Sequence, residues 1–237
     1  MAVAARSYRR GMKRVAIITG ASRGLGLALA TGLAEAGWRV VVDGRSAAAL
    51  AEAAEWIGGD CVALPGDIRD PAHRAALVAA AGSVDLLVNN AGILGPSPQP
   101  SVADYPLDAL REVYEVNVVA QVGLLQAALP ALRASGGAVA NITSDAAVEG
   151  YEGWGGYGSA KAALEQVSAV LAVEEPAVRV WRVDPGDLRT RMHQEAFPAE
   201  DISDRPLPET VVPAFLNLVT VRPPSGRVRL ADVVVPA

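Results

Sequence analysis

The residues best able to do chemistry sit in one short stretch, Tyr157-Gly158-Ser159-Ala160-Lys161. On a helix, Tyr157 and Lys161 are four apart and share one face. A free phenol has a pKa near ~10 and is a poor base at neutral pH. A neighbouring ammonium stabilises the phenolate and lowers that value, so the pair could exchange a proton with a substrate oxygen. Ser144 lies thirteen residues upstream of the tyrosine, at the end of an apolar run, and could hydrogen-bond the same oxygen. The plain alternative is a solvated Tyr/Lys surface pair.

A second pattern suits phosphate. Val15-Ala16-Ile17-Ile18-Thr19 leads into Gly20-Ala21-Ser22-Arg23-Gly24-Leu25-Gly26, and a helical stretch follows. Glycines permit a tight turn and a close backbone approach. The helix N-terminus then offers unpaired N–H donors and the positive end of its dipole. Strand, turn and helix in that order are the context that such a motif needs. A glycine-rich turn without a ligand is the competing reading.

These groups must be held by an alternation of strands and helices. Apolar runs of strand length occur at 15–19, 40–42, 61–64, 86–88, 138–143 and 178–183, with a seventh expected at 232–235. Helical periodicity covers 24–36, 47–57, 71–81, 107–133, 157–173 and 208–219, and Pro130 is expected to interrupt the fourth. Asp70 and Pro71 open the third helix, and Gly37 closes the first. Strands apolar on both faces imply a parallel sheet covered on both sides. The expected class is α/β: a Rossmann-type, doubly wound parallel sheet of about seven strands in a three-layer α/β/α sandwich. Residues 13–237 read as one such domain, and 187–208 as a long polar loop of the kind that is usually functional. Residues 1–12, with Arg6, Arg9 and Arg10, read as a basic, flexible extension.

The spacing Thr-Gly-x-x-x-Gly-x-Gly resembles that of the short-chain dehydrogenase/reductase family. So do Asp67 after the third strand, Asn89-Asn90-Ala91-Gly92 after the fourth, and Asn117 in the long helix. Ser144, Tyr157, Lys161, Pro185-Gly186 and Thr190 complete the ordered set over residues 13–190. The resemblance implies NADP(H)-dependent interconversion of a carbonyl and an alcohol by hydride transfer. Tyr157 would be the general acid/base, with Ser144, Lys161 and Asn117 as its catalytic companions. Lys161 would also contact the nicotinamide ribose, and Asn117 would hold a water linking Lys161 to solvent. The cofactor would lie along Gly20, Ser22, Arg23, Gly24, Leu25 and Gly26. Asp67 and Ile68 would line its adenine, and Asn90, Ala91 and Gly92 its adenosine-side ribose. Pro185, Gly186, Leu188 and Thr190 would border the nicotinamide, beside Tyr157 and Lys161.

Cofactor choice turns on Val42-Asp43-Gly44-Arg45. In NAD-preferring members an acidic residue at the end of the second strand takes the ribose hydroxyls. That position here is Gly44, and Arg45 suits a 2′-phosphate. A strand ending one residue earlier would give Asp43 the ribose and favour NAD. Substrate would meet Leu94, Tyr151, Trp154 and Met192 on the loops, the aromatics walling a pocket for an apolar or ring-bearing ketone or packing under the loop. Family members usually pair as homodimers or homotetramers through the helices carrying Asn117 and Tyr157. Ala120, Leu124, Leu125, Ala128, Leu164, Val167 and Leu171 could supply those faces, or could be core.

Bulk properties narrow the rest. A net charge of −5 argues against a nucleic-acid partner. One cysteine and two distant histidines, His73 and His193, argue against a metal centre. No uninterrupted apolar run reaches the ~18 residues of a membrane span, so a cytoplasmic enzyme with a small-molecule substrate and no membrane partner is expected. The competing classes are an NAD-linked alcohol dehydrogenase, an epimerase or dehydratase of the extended branch, and a non-catalytic NADP-sensing regulator. The extended branch typically has a longer C-terminal domain than this chain offers. The regulator would be expected to lack one of the four catalytic positions.

Overall fold

Side chains alternate along each apolar strand, so each run feeds two cores. The computed structural model describes residues 13–235. Its seven strands are all parallel, in the order β3-β2-β1-β4-β5-β6-β7. They are β1 (Val15–Ile18), β2 (Arg39–Gly44), β3 (Cys61–Pro65), β4 (Leu86–Asn89), β5 (Ala138–Ile142), β6 (Arg179–Asp184) and β7 (Gly226–Arg229). The helices are α1 (Gly24–Glu35), α2 (Ala47–Ile57), α3 (Pro71–Ala81), α4 (Leu107–Tyr114), α5 (Ala120–Ser135), α6 (Gly155–Glu174), α7 (Arg191–Ala196) and α8 (Val212–Val221). One core joins Ala16, Ile18, Val40, Val42 and Leu86 to Leu29, Leu33, Leu50, Phe215 and Leu218 of α1, α2 and α8. The other joins Ile17, Val41, Leu87, Val139 and Val180 to Leu77, Leu124, Leu132 and Leu171 of α3, α5 and α6. This is the three-layer α/β/α fold. The strand order reverses between β1 and β4, and the carboxyl ends there open into the cleft where such sheets bind ligands.

Three sequence expectations change, and one open alternative, interface face or core, is decided. The seventh strand is Gly226–Arg229, and Val234 and Val235 of the expected strand are exposed. β7 is recruited by an arginine instead of an apolar run: Arg227 pairs with acidic groups on the sheet and α6. Pro130 does not interrupt its helix, which continues to Ser135; the irregularity is a π-helical segment, Glu115–Val119, between α4 and α5. The polar loop 187–208 contains α7, capped by Thr190, whose Oγ1 accepts from the His193 N–H at 3.1 Å. Ala120, Leu124, Leu125, Ala128, Leu164 and Leu171 are buried in the core. The expected extension at 1–12 lies outside the described residues.

The continuous helical stretch Leu107–Ser135 holds an 18-residue window of mean hydropathy 1.3, long and apolar enough to cross a membrane. Counting uninterrupted apolar residues overlooks it because scattered polar residues break the run. Half of its most apolar window is buried inside the protein, as in a core helix.

Candidate active site

A single cleft of about 1500 Å³ runs over the carboxyl ends of the strands, from Arg45 and Ile68 at one end to Trp154, Tyr157 and Phe197 at the other. All of Gly20, Ser22, Arg23, Gly24, Leu25, Gly26, Asp67, Asn90, Ala91, Gly92, Pro185, Gly186, Leu188 and Thr190 line it. Ser144, Lys161, Leu94, Tyr151 and Met192 line it too. Of the expected site residues only Asn117 stands behind the wall.

The glycine turn is tied to the end of β4. The buried Thr19 Oγ1 accepts from the Asn90 and Ala91 N–H groups at 3.0 Å each. Asn90 Nδ2 donates back to the Thr19 carbonyl at 2.8 Å and reaches the Gly20 carbonyl at 3.3 Å. Gly26 is required by contact: a Cβ there would lie 2.5 Å from both Asn90 Nδ2 and the Gly20 carbonyl. Gly20 itself has φ +66°, a conformation side chains disfavour.

The carboxylates at this end are already committed. Asp43 is 2% exposed, accepting the Gly20 N–H at 2.6 Å on one oxygen and facing His73 Nε2 at 3.2 Å with the other. Asp67 is gripped by Arg69 at 2.6–3.1 Å, which holds its carboxyl below the usual carboxylate range. Arg23 and Arg45 are exposed, and among the described residues neither guanidinium has a hydrogen-bond or ion-pair partner. The cleft end therefore offers two guanidinium forks without a hydrogen-bond or ion-pair partner among the described residues, suited to a phosphate monoester. His73 and Arg69 were not readable as partners, because the first is thirty residues from Asp43 and the second resembles any surface arginine.

The other end is buried and acidic. Lys161 is 2% exposed; its Nζ donates to the Ile142 carbonyl at 2.8 Å and stands 5.4 Å from the Tyr157 ring centroid. Loss of solvent pulls Lys161 down to about 8. Tyr157 moves the other way, pushed above its usual value by burial and then by Asp145 and Asp184. The expectation that the ammonium lowers the phenol is thus not met here: desolvation and two carboxylates outweigh it. Ser144 donates its hydroxyl to Asp145 Oδ1 at 2.8 Å. Burial raises Asp145, but hydrogen bonds from Ser144, Tyr151 and the Ala146 N–H outweigh it and leave the carboxyl low.

Asn117 is fully buried in the π-helical segment, a feature frequent at functional sites. Its Oδ1 accepts from the Ile93 N–H at 2.9 Å, and its Nδ2 donates to the Ile93 carbonyl at 2.8 Å. Both ends of the amide bond to Ile93, so the side chain fixes the loop after β4, with one N–H and one oxygen lone pair of the amide left over.

The substrate end is aromatic. Trp154 meets Tyr157 edge-on at 5.8 Å, Tyr151 at 6.4 Å and Phe197 at 5.9 Å. Leu94, Met192 and Ala196 pack with them. Tyr151 is a rim residue, its hydroxyl at 3.0 Å from Asp145 and 2.9 Å from Glu149. Phe197 and His193, on the long loop expected to be functional, also line the cleft, their rings tilted at 42° with centroids 4.9 Å apart. Beside Pro185, Asp184 Oδ1 accepts from the Gly186 N–H at 3.0 Å, and a Cβ placed on Gly24 of the glycine turn would meet the Thr190 methyl at 3.6 Å.

A family model described as short chain dehydrogenase matches residues 14–201. A 3-oxoacyl-[acyl-carrier-protein] reductase of rhamnolipid biosynthesis from Pseudomonas aeruginosa is 37% identical over 76% of this chain and 74% of its own. A benzil reductase, (S)-benzoin forming, from Saccharomyces cerevisiae is 33% identical over 88% and 82%. Among solved structures, one from Escherichia coli CFT073 complexed with NADPH has a TM-score of 0.85 at 30% identity, covering 92% of this chain and 96% of that one.

Proposed function

Since the chain belongs to the short chain dehydrogenase family, and so is an oxidoreductase built around a nicotinamide cofactor, we propose that it reduces a ketone or aldehyde with NADPH. One observation carries this reading: a single cleft joins two unpaired guanidiniums, Arg23 and Arg45, to a buried Tyr157–Lys161 pair.

The residues present fit the cofactor. The glycine turn is held open by Thr19 and Asn90, and the free arginines suit the 2′-phosphate that distinguishes NADPH from NADH. Asp43, the one carboxylate placed to favour NAD, is spent on Gly20 and His73. NADPH supplies the hydride when bound. Tyr157 supplies the proton, and its raised pKa keeps the phenol protonated as a general acid. Ser144 must turn its hydroxyl from Asp145 to the carbonyl oxygen; in alcohol oxidation the same arrangement leaves it an acceptor. Lys161, neutralised more easily than a free lysine, passes the proton on to Tyr157. Asn117 positions Ile93 at the cleft wall. Trp154, Tyr151, Leu94 and Met192 favour an apolar, ring-bearing ketone, consistent with benzil as the substrate named for the yeast relative.

Residues 13–237 would act as one domain, with 187–208 a lid over the substrate. Pairing of two copies through the α5 and α6 layer would cover the exposed Val119, Val170 and Val173. A cytoplasmic location accords with NADPH-linked reduction. The test is fluorescence titration with NADPH and NADH, followed by benzil reduction. Arg45→Ala should weaken NADPH about 10- to 100-fold, the range of a charge-assisted pair, and leave NADH unchanged. Failure to bind either nucleotide refutes the reading.

A further inference from the structure

Arg227 lies on β7, away from the expected seventh strand, and three groups converge on it. Its Nε donates to Glu165 Oε1 at 2.9 Å. One terminal nitrogen donates to Asp184 Oδ2 at 2.9 Å and to the Ser144 carbonyl at 3.1 Å. Glu165 also accepts the Thr143 hydroxyl at 2.8 Å, and Arg182 stands 3.8 Å from it. Asp184 in turn holds the Gly186 N–H.

Each partner belongs to a different part of the machinery. Thr143 and Ser144 directly follow β5, and Glu165 sits on α6 one turn beyond Lys161. Asp184 ends β6 and fixes the first glycine of the nicotinamide loop. Glu165 and Asp184 are more than nine-tenths buried, so their charges are costly without a counter-ion.

We propose that Arg227 is a positioning residue for the reaction: it locks the ends of β5 and β6 to α6 and offsets the carboxylates facing Tyr157. This rests on the reading of Tyr157 as proton donor. The charged and titratable groups that share this end of the cleft with the phenol are Asp145 after β5, Asp184 at the end of β6 with Asp187 after it, Lys161 on its own helix, Tyr151 (bonded to Glu149) and Glu152 on the preceding loop, and Arg191, His193 and Glu195 on α7. Arg227 bonds Asp184 directly and its field reaches Asp145. It therefore acts on both carboxylates that oppose a phenolate.

The test needs no substrate. In a Cys61→Ser background, Tyr157→Cys puts a thiol on the same backbone position, and its alkylation by iodoacetamide against pH reads the local field. Adding Arg227→Met should move the alkylation midpoint up by about one pH unit, a tenfold loss of thiolate at fixed pH. Arg227→Lys should leave it within a few tenths. Arg227→Gln, which keeps donors without charge, replaces the Met variant if that fails to fold, and should shift the midpoint likewise. A midpoint that stays put, or falls, overturns the inference; a purely structural Arg227 would change stability and leave it unmoved. Benzil turnover by Tyr157→Phe would instead overturn the proton-donor reading and leave the thiol result standing.

Discussion

The two ends of the cleft treat charge in opposite ways. At the glycine turn the carboxylates are consumed and the cations are free: Asp43 is held by Gly20 and His73, Asp67 by Arg69, while Arg23 and Arg45 have no partners among the described residues. At the catalytic end the arginine is consumed, and what faces the cleft is a phenol, a desolvated ammonium and two carboxylates. The first end is exposed and built to attract an anion from water. The second is buried and, on the proposed reading, governs a proton. The difference teaches that binding and chemistry here draw on separate side-chain groups, joined by backbone.

The strongest way to break the comparison is at Tyr157. Tyr157→Phe should lower kcat for benzil reduction by about 10²–10⁴, the span of general-acid catalysis, while NADPH fluorescence titrates as in the wild type. Loss of binding alongside turnover would mean the two ends are not separate.

Lys161→Met should also abolish turnover, yet stabilise the fold. The ammonium's pKa drops from its usual 10.5 to about 8 on burial, so between those values the unfolded chain binds more protons and wild-type stability rises with pH. Below about pH 8 the full penalty applies. The Met variant should then be more stable by on the order of 2 kcal/mol, after allowing for the lost bond to Ile142. Thermal unfolding at pH 7 and pH 10 checks this, and the gap should narrow at the higher pH.

Asp43→Asn probes the opposite end. If Asp43 serves the turn and not a ribose, NADPH and NADH should weaken together, by about threefold, through loosening at Gly20. A drop confined to NADH would reassign Asp43 to the ribose. The smallest effect belongs to the rim: Tyr151→Phe should change the KM for benzil less than about threefold and kcat hardly at all, since its hydroxyl faces Asp145 and Glu149.

Much of this could be seen in the sequence because the physics is local. Six strands declare themselves by apolar runs, and the Tyr157–Lys161 pair by helical spacing. The parts that escaped depend on distant partners. β7 is held by Arg227 reaching Glu165 and Asp184, and no period in Gly226–Arg229 marks it. The fate of Asp43 depends on His73, and that of Asn117 on a π-helical turn that no propensity announces. α7 itself, which ends just before Phe197 at the pocket, forms inside a stretch too polar to look helical.

Thr190 caps α7, the helix that brings Met192 and His193 to the pocket's aromatic end, and a Cβ placed on Gly24 would meet its methyl at 3.6 Å. The glycine turn and the roof of the pocket therefore share one neighbour, so a side chain added at position 24 would bear on the cap of α7 as well as on the turn.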